Sequence, residues 1–182
     1  MRRKIQRLVD IFAKFSLSGA MLAMMGLFLI VFVNSVRRYT LGKSFEWGEE
    51  LPIYLAIFGV MFGMAAAYLQ DRHIRFTILV GFISDKWTRF LYMIVDVVMV
   101  MNGVLLVFSG LAFAAKRGGV EASGIINMAK SISTATGIEG LVWFGYQYPY
   151  QLAMVLGGAL LAVAALFKLI LRVSEKPALA PT

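Results

Sequence analysis

Apolar and polar residues along this chain fall into long blocks instead of alternating at the short periods of a soluble domain. Uncharged runs extend from Phe15 to Val36 and from Leu51 to Leu69; a third, from Phe90 to Ala115, is interrupted only by Asp96, and a fourth lies within Gly140 to Phe167. A bilayer core about 30 Å thick needs about 20 helical residues at ~1.5 Å each, so every run is of spanning length. The runs are continuously apolar and lack the in/out alternation of barrel strands, which makes them helices. The expected fold is therefore an all-α integral membrane protein. Four transmembrane helices over about 15–36, 50–70, 88–115 and 147–171, with short interfacial helical segments, form one membrane domain over 1–173. A flexible tail with two prolines follows at 174–182.

The connecting segments carry patterns of their own. Ile5, Leu8, Val9 and Phe12 share a helical face, either as a short interfacial helix or as a cytoplasmic continuation of the first span. The segment 116–147 is long for a bundle connection, and Ile125, Ile126, Ala129 and Ile132 predict a further surface helix within it. Trp143, Phe144, Tyr146, Tyr148 and Tyr150 gather just before the last span, as a headgroup belt or as a partner-docking surface. Arg2, Arg3, Lys4 and Arg7 precede an apolar stretch as in an export signal. That stretch is 22 residues long and runs into Asn34-Ser35-Val36-Arg37-Arg38 without a small-residue cleavage site, so it reads as a retained span.

Charge adds orientation. Twelve of the Lys and Arg residues belong to the N-terminus, the Asp71–Arg89 loop and the C-terminus, and six to the other two loops, which predicts cytoplasmic termini. Loops Arg37–Glu50 and Lys116–Gln147 then face outward. The composition, 60% hydrophobic and 15% charged against about a quarter charged in soluble domains, agrees with a membrane protein. The net charge of +8 is spread between apolar runs and not gathered on one soluble face, so nucleic acid is not an expected partner. With no Cys and one His, disulfides, thiol nucleophiles, zinc ribbons and bis-histidine ligation are excluded. No nucleophile–base set or Walker sequence is visible, and no enzyme or cofactor of this chain is expected.

Few residues in the spans carry chemistry. Asp96 is expensive inside hydrocarbon unless protonated, hydrated or paired. It reads as a proton or sodium relay, or as a structural group sharing hydrogen bonds with Asn34 and Asn102. Glu49 and Glu50 suit the first turn of the second helix, with Pro52 tolerated there. Adjacent helical residues point about 100° apart, which makes the two carboxylates a poor acid/base pair but leaves an ion pair to another subunit open. Gly59 and Gly63, extended by Ala67, flatten one helix face against this chain's own helix, another copy or a different protein; Gly158 and Ala162 form a weaker version. The expected subunit-interface residues are thus Glu49, Glu50, Gly59, Gly63, Ala67, Asp96 and Asn102. Arg37, Arg38, Trp47, His73, Trp87 and Trp143 are the expected lipid and interface anchors.

Asn34-Ser35-Val36-Arg37-Arg38-Tyr39, followed by Gly42-Lys43-Ser44-Phe45-Glu46-Trp47-Gly48-Glu49-Glu50-Leu51, resembles the small (Q-type) membrane subunit of TRAP, tripartite ATP-independent periplasmic, transporters. The likeness continues through Gly63-Met64-Ala65-Ala66-Ala67, His73-Ile74 and Tyr148-Pro149-Tyr150. Gly48 departs from the small hydroxyl residue frequent at that place, and the loop between spans three and four is longer than in compact members. The resemblance implies a multi-pass subunit of the bacterial inner membrane that scaffolds a large transport subunit. It also implies help in docking a periplasmic substrate-binding protein, with sodium held by the large subunit and an organic acid as cargo. The other reading is a self-assembling channel or exporter in which Asp96 lines a pore.

Overall fold

A computed structural model describes residues 2–70 and 84–174. Helix α1 covers Arg2–Leu41, α2 Trp47–Leu69, α3 Asp85–Arg117, α4 Ser123–Thr136 and α5 Tyr148–Val173, with a 3-10 helix at Glu139–Gly145 between α4 and α5. Four of them, α1, α2, α3 and α5, are long and apolar enough to cross a membrane. No strand is formed among the described residues. The protein is an all-α membrane protein. His73 and the tail beyond Ser174 lie outside the described residues.

The spanning helices pack as a row in the order α1, α2, α5, α3, with α1 and α3 at the two edges. Small residues set the spacing. A Cβ on Gly103 of α3 would meet the backbone N of Ala162 at 2.6 Å and the carbonyl of Gly158 at 2.7 Å, so α3 and α5 cross nearly backbone to backbone. Gly157 of α5 accommodates Met61 of α2, and Gly59 of α2 accommodates Met24 and Ala23 of α1. A side chain at Gly103 would push α3 off α5, whereas one at Gly59 would first displace the flexible end of Met24.

α1 is a single 40-residue helix, about 60 Å long at ~1.5 Å per residue. Even at the ~40° upper end of usual tilts it spans about 46 Å, more than the hydrocarbon layer. The N-terminal amphipathic segment is therefore a continuation of the first span, not a separate interfacial helix. Val9 is buried among Tyr68, Leu69, Leu161 and Ala165, and Ile5 and Phe12 pack on the same cluster. The Phe12 ring meets Phe167 edge-on at 5.8 Å. Leu8, expected on that face, is 53% exposed, because the packed stripe is narrower than the apolar one. These contacts bring the start of α1 and the end of α5 together, and this is called the terminal end below.

At the opposite loop end, the long 118–147 excursion folds back on itself. Ala122 N–H donates to Gly145 O at 2.8 Å, Gln147 N–H to Val120 O at 2.9 Å and Tyr148 N–H to Gly118 O at 3.0 Å, closing its base. α4 buries Ile125, Ile126, Ala129 and Ser133 beneath itself. Ile132 is 42% exposed, and Ser133 takes the inward place that the predicted apolar face assigned to it.

Candidate functional site

Polar chemistry concentrates at the two ends of the helix row. At the terminal end, Asp96 of α3 is fully buried. One carboxylate oxygen accepts a hydrogen bond from the Tyr68 hydroxyl of α2, and the other pairs with Arg172 Nε of α5 at 2.8 Å. The Arg172 guanidinium also lies over the Tyr92 ring at 4.5 Å, and Arg89 donates to the Arg172 carbonyl at 2.6 Å, satisfying an orphan acceptor at the end of α5. One carboxylate, through an ion pair and a hydrogen bond, thereby ties three helices together. Asn34 and Asn102, expected to share hydrogen bonds with Asp96, do not. Asn34 Oδ1 accepts from Phe45 N–H at 2.7 Å at the loop end, and Asn102 bonds its own helix.

At the loop end, three glutamates at the start of α2 have different neighbours. Glu50 Oε2 accepts from Gly124 N–H at 2.8 Å, and its Oε1 from the Tyr54 hydroxyl at 2.9 Å. Gly124 stands in the first turn of α4, so a side chain from α2 caps the N-terminus of another helix and meets its dipole with negative charge. Gly124 must be a glycine there, since a Cβ would lie 2.6 Å from the Glu46 carbonyl. Glu46 adds a second grip, accepting from Asn127 Nδ2 at 3.0 Å. Glu49 points elsewhere: it is exposed and, among the described residues, accepts from the Ser44 hydroxyl at 3.0 Å. Ser44, the three glutamates, Ile53, Ser123 and Gly124 line an open cleft of about 560 Å³.

Aromatic rings complete this end. Tyr54 stacks on Tyr150 with centroids 4.1 Å apart, and Tyr150 donates to the Phe144 carbonyl at 2.8 Å. Arg37 sits 3.6 Å from the Phe45 ring centroid, and Phe45 stacks on Trp47 at 5.1 Å. Gly42, at φ +68°, ends α1 in the left-handed conformation, and the short loop is held by the Asn34 bond to Phe45. A Cβ on Gly48 would fall 2.8 Å from the Asn34 side chain, which explains why this chain has glycine there.

The sequence-predicted residues thus separate. Asp96 and Gly59 are covered within the chain, Gly63 faces Ala20 of α1 with room to spare, and Ala67 is half-buried. Glu50 is committed to α4, and Glu49 is free to meet solvent or a partner. Of the anchors, Arg38, Trp87 and Trp143 are exposed, whereas Arg37 and Trp47 are half-buried in the Phe45 stack. Tyr68, Arg172, Glu46, Asn127 and Gly124 took no part in the sequence-based assignment of sites, because each acts on a residue distant along the chain. Among the described residues no group of three His, Asp or Glu side chains is gathered to hold a metal ion.

The family model described as "Tripartite ATP-independent periplasmic transporters, DctQ component" matches residues 27–175. The chain belongs to this family. No curated protein matches it. The match covers every spanning helix except the beginning of α1, and takes in both the Asp96 network and the glutamates of α2. As a DctQ component, the chain is the small membrane subunit of a TRAP transporter, a multi-pass protein of the inner membrane.

Proposed function

We propose that this DctQ component is the static scaffold of a large transport subunit in a sodium-coupled TRAP system that takes up an organic acid. In this reading its loop end faces the periplasm and helps dock the substrate-binding protein, and its termini are cytoplasmic. The large subunit carries the sodium and substrate sites. The observation that supports the scaffold role is where the polar groups go. The carboxylate inside the third span, Asp96 of the edge helix α3, is fully buried and paired with Arg172, which supports a structural role over one in a transport pathway. The edge helices α1 and α3 bury far less of their spans than α5, which leaves apolar faces for lipid and for a protein neighbour. The excess of Lys and Arg on the terminal end supports the orientation. The exposure of Arg38, Trp87 and Trp143 supports a headgroup-anchoring role for them, and the exposure of Glu49 supports a contact with the binding protein.

The test is purification of the tagged chain from its native membrane in mild detergent, with light crosslinking and mass spectrometry of what co-elutes. A stoichiometric larger multispanning protein is expected. Recovery of multiple copies of this chain alone would overturn the scaffold role in favour of a self-assembled channel. Uptake by the reconstituted complex is expected to require an inward sodium gradient, and uptake unaffected by sodium would remove that part of the reading.

A further inference from the structure

The outward side of α3 carries a polar group that its surroundings do not account for. Leu91, Val95, Val98, Asn102, Leu105 and Ser109 recur at spacings of three and four residues and are all exposed. They lie away from Gly103 and Gly110, the residues that face α5. Asn102 is fifteen residues after Trp87 and fourteen before Lys116, about 21–23 Å from each end of the span at ~1.5 Å per residue. With a hydrocarbon half-thickness of about 15 Å, its side chain sits near the bilayer midplane.

A primary amide offers two N–H donors and a carbonyl oxygen. The one hydrogen bond of the Asn102 side chain among the described residues is from Nδ2 to the Val98 carbonyl of its own helix, at 3.0 Å. Its oxygen and its second N–H are left facing hydrocarbon, where an unmet polar group is costly. The other edge of the row is different. Between Met21 and Val33, α1 exposes Leu22, Met25, Phe28, Leu29 and Phe32 and has no side chain able to form a hydrogen bond, a surface that acyl chains satisfy.

From this contrast we infer that the Asn102 face of α3 seats a transmembrane helix of the large subunit that presents an amide, hydroxyl or carboxyl side chain at mid-bilayer depth. The inference rests on the scaffold reading above. A component of a tripartite assembly has a protein neighbour within reach, and an interhelical hydrogen bond is what such an amide lacks. Ser109, two turns further along the same face, offers a second small polar contact and lets the neighbouring backbone approach.

The experiment uses the whole transporter, co-expressed in membranes. A photo-crosslinking benzophenone amino acid is placed at position 98 or 105 of α3 and, for comparison, at position 22 or 29 of α1. Positions 98 and 105 are expected to form adducts with the large subunit. Asn102→Leu is expected to lower the co-purified large subunit about three- to twenty-fold, the range of one interhelical hydrogen bond, while Asn102→Gln stays within about two-fold of the unsubstituted chain. Adducts from 98 and 105 only to a second copy of this chain or only to lipid, with the large subunit still co-purifying, would overturn the docking face and leave the scaffold role standing. Unchanged co-purification of Asn102→Leu would do the same for the hydrogen bond. Absence of the large subunit from the unsubstituted preparation would overturn both readings together.

Discussion

The two ends of the helix row use carboxylates in opposite ways. At the terminal end Asp96 is removed from solvent and placed against a guanidinium and a phenol, each from a different helix. At the loop end Glu50 is half-buried and its main partner is a backbone N–H at a helix terminus. The first arrangement couples three spanning helices and depends on all of them. The second fastens one amphipathic helix to a bundle that is already formed. Removal of either carboxylate should therefore have effects that differ in size and in extent.

The largest effect is expected for Asp96→Ala. It leaves the Arg172 guanidinium, whose side chain is only 18% exposed, without its counter-charge, and breaking a buried pair from one side costs about 3–5 kcal/mol. The lower part of that range applies, because an arginine near a helix end can redirect its head toward water. Thermal unfolding of the purified protein in detergent should show one global loss of stability. Asp96→Leu combined with Arg172→Leu should recover much of it, since replacing both members by apolar groups removes the uncompensated charge. A double variant as unstable as Asp96→Ala would mean that the Tyr68 contact, and not the ion pair, holds this end.

Glu50→Ala should cost less, about 1–2 kcal/mol for a lost cap together with a hydrogen bond from Tyr54, and the loss should be local. Hydrogen exchange is expected to rise over 123–136, and proteolysis over 118–147 to accelerate, with α2 and α5 protected as before. Glu50→Gln, which keeps an acceptor oxygen but not the charge, should fall between Glu50→Ala and the unsubstituted chain. If Glu50→Ala unfolded the bundle as Asp96→Ala does, the loop end would be as deeply coupled as the terminal end.

A smaller and more specific effect is expected at Gly48. Alanine gains about 0.8–1 kcal/mol of helix propensity over glycine, but its Cβ would lie 2.8 Å from the Asn34 side chain that holds Phe45, and overpacking costs about 1–3 kcal/mol. The net loss for Gly48→Ala should be about 1 kcal/mol. With Asn34→Ala already in place the same change should be neutral or stabilising, a non-additivity that a double-mutant cycle reads directly.

These cases show what could be read from the sequence and what could not. The spans were legible because length and hydropathy alone decide whether a helix crosses a bilayer, and the inward face of α4 because its apolar spacing is helical. Asp96 was legible as an anomaly, but its partners were not. Tyr68 and Arg172 lie on other helices, and Arg172 sits so near the end of α5 that it reads as an ordinary interfacial cation. Glu50 could be placed in a first turn, yet its partner Gly124 is a backbone group 74 residues away that no side-chain pattern marks. The Gly59/Gly63 face announced a close approach without naming its neighbour, and the neighbour at Gly59 is this chain's own α1. Gly103, at the tightest crossing, has no recognisable partner within its own helix, because the complementary Gly158 and Ala162 are on α5.

The smallest stability effect, and the sharpest separation of the two neighbouring glutamates, is expected at Glu49. Its side chain is exposed and its hydrogen bond among the described residues is to the Ser44 hydroxyl, so Glu49→Gln should change stability by no more than about 0.5 kcal/mol. On the function proposed above, this carboxylate faces the incoming binding protein, and an exposed charge at a docking rim acts mainly through the association rate. Binding of that protein to the reconstituted complex should then slow a few-fold at low ionic strength, with the difference vanishing near 1 M salt, where the Debye length is about 3 Å. A loss of stability matching that of Glu50→Ala would make both glutamates structural. Unchanged stability with unchanged association would place the docking contact elsewhere on the loop end, with the exposed Glu46 of the same cleft as the next residue to change.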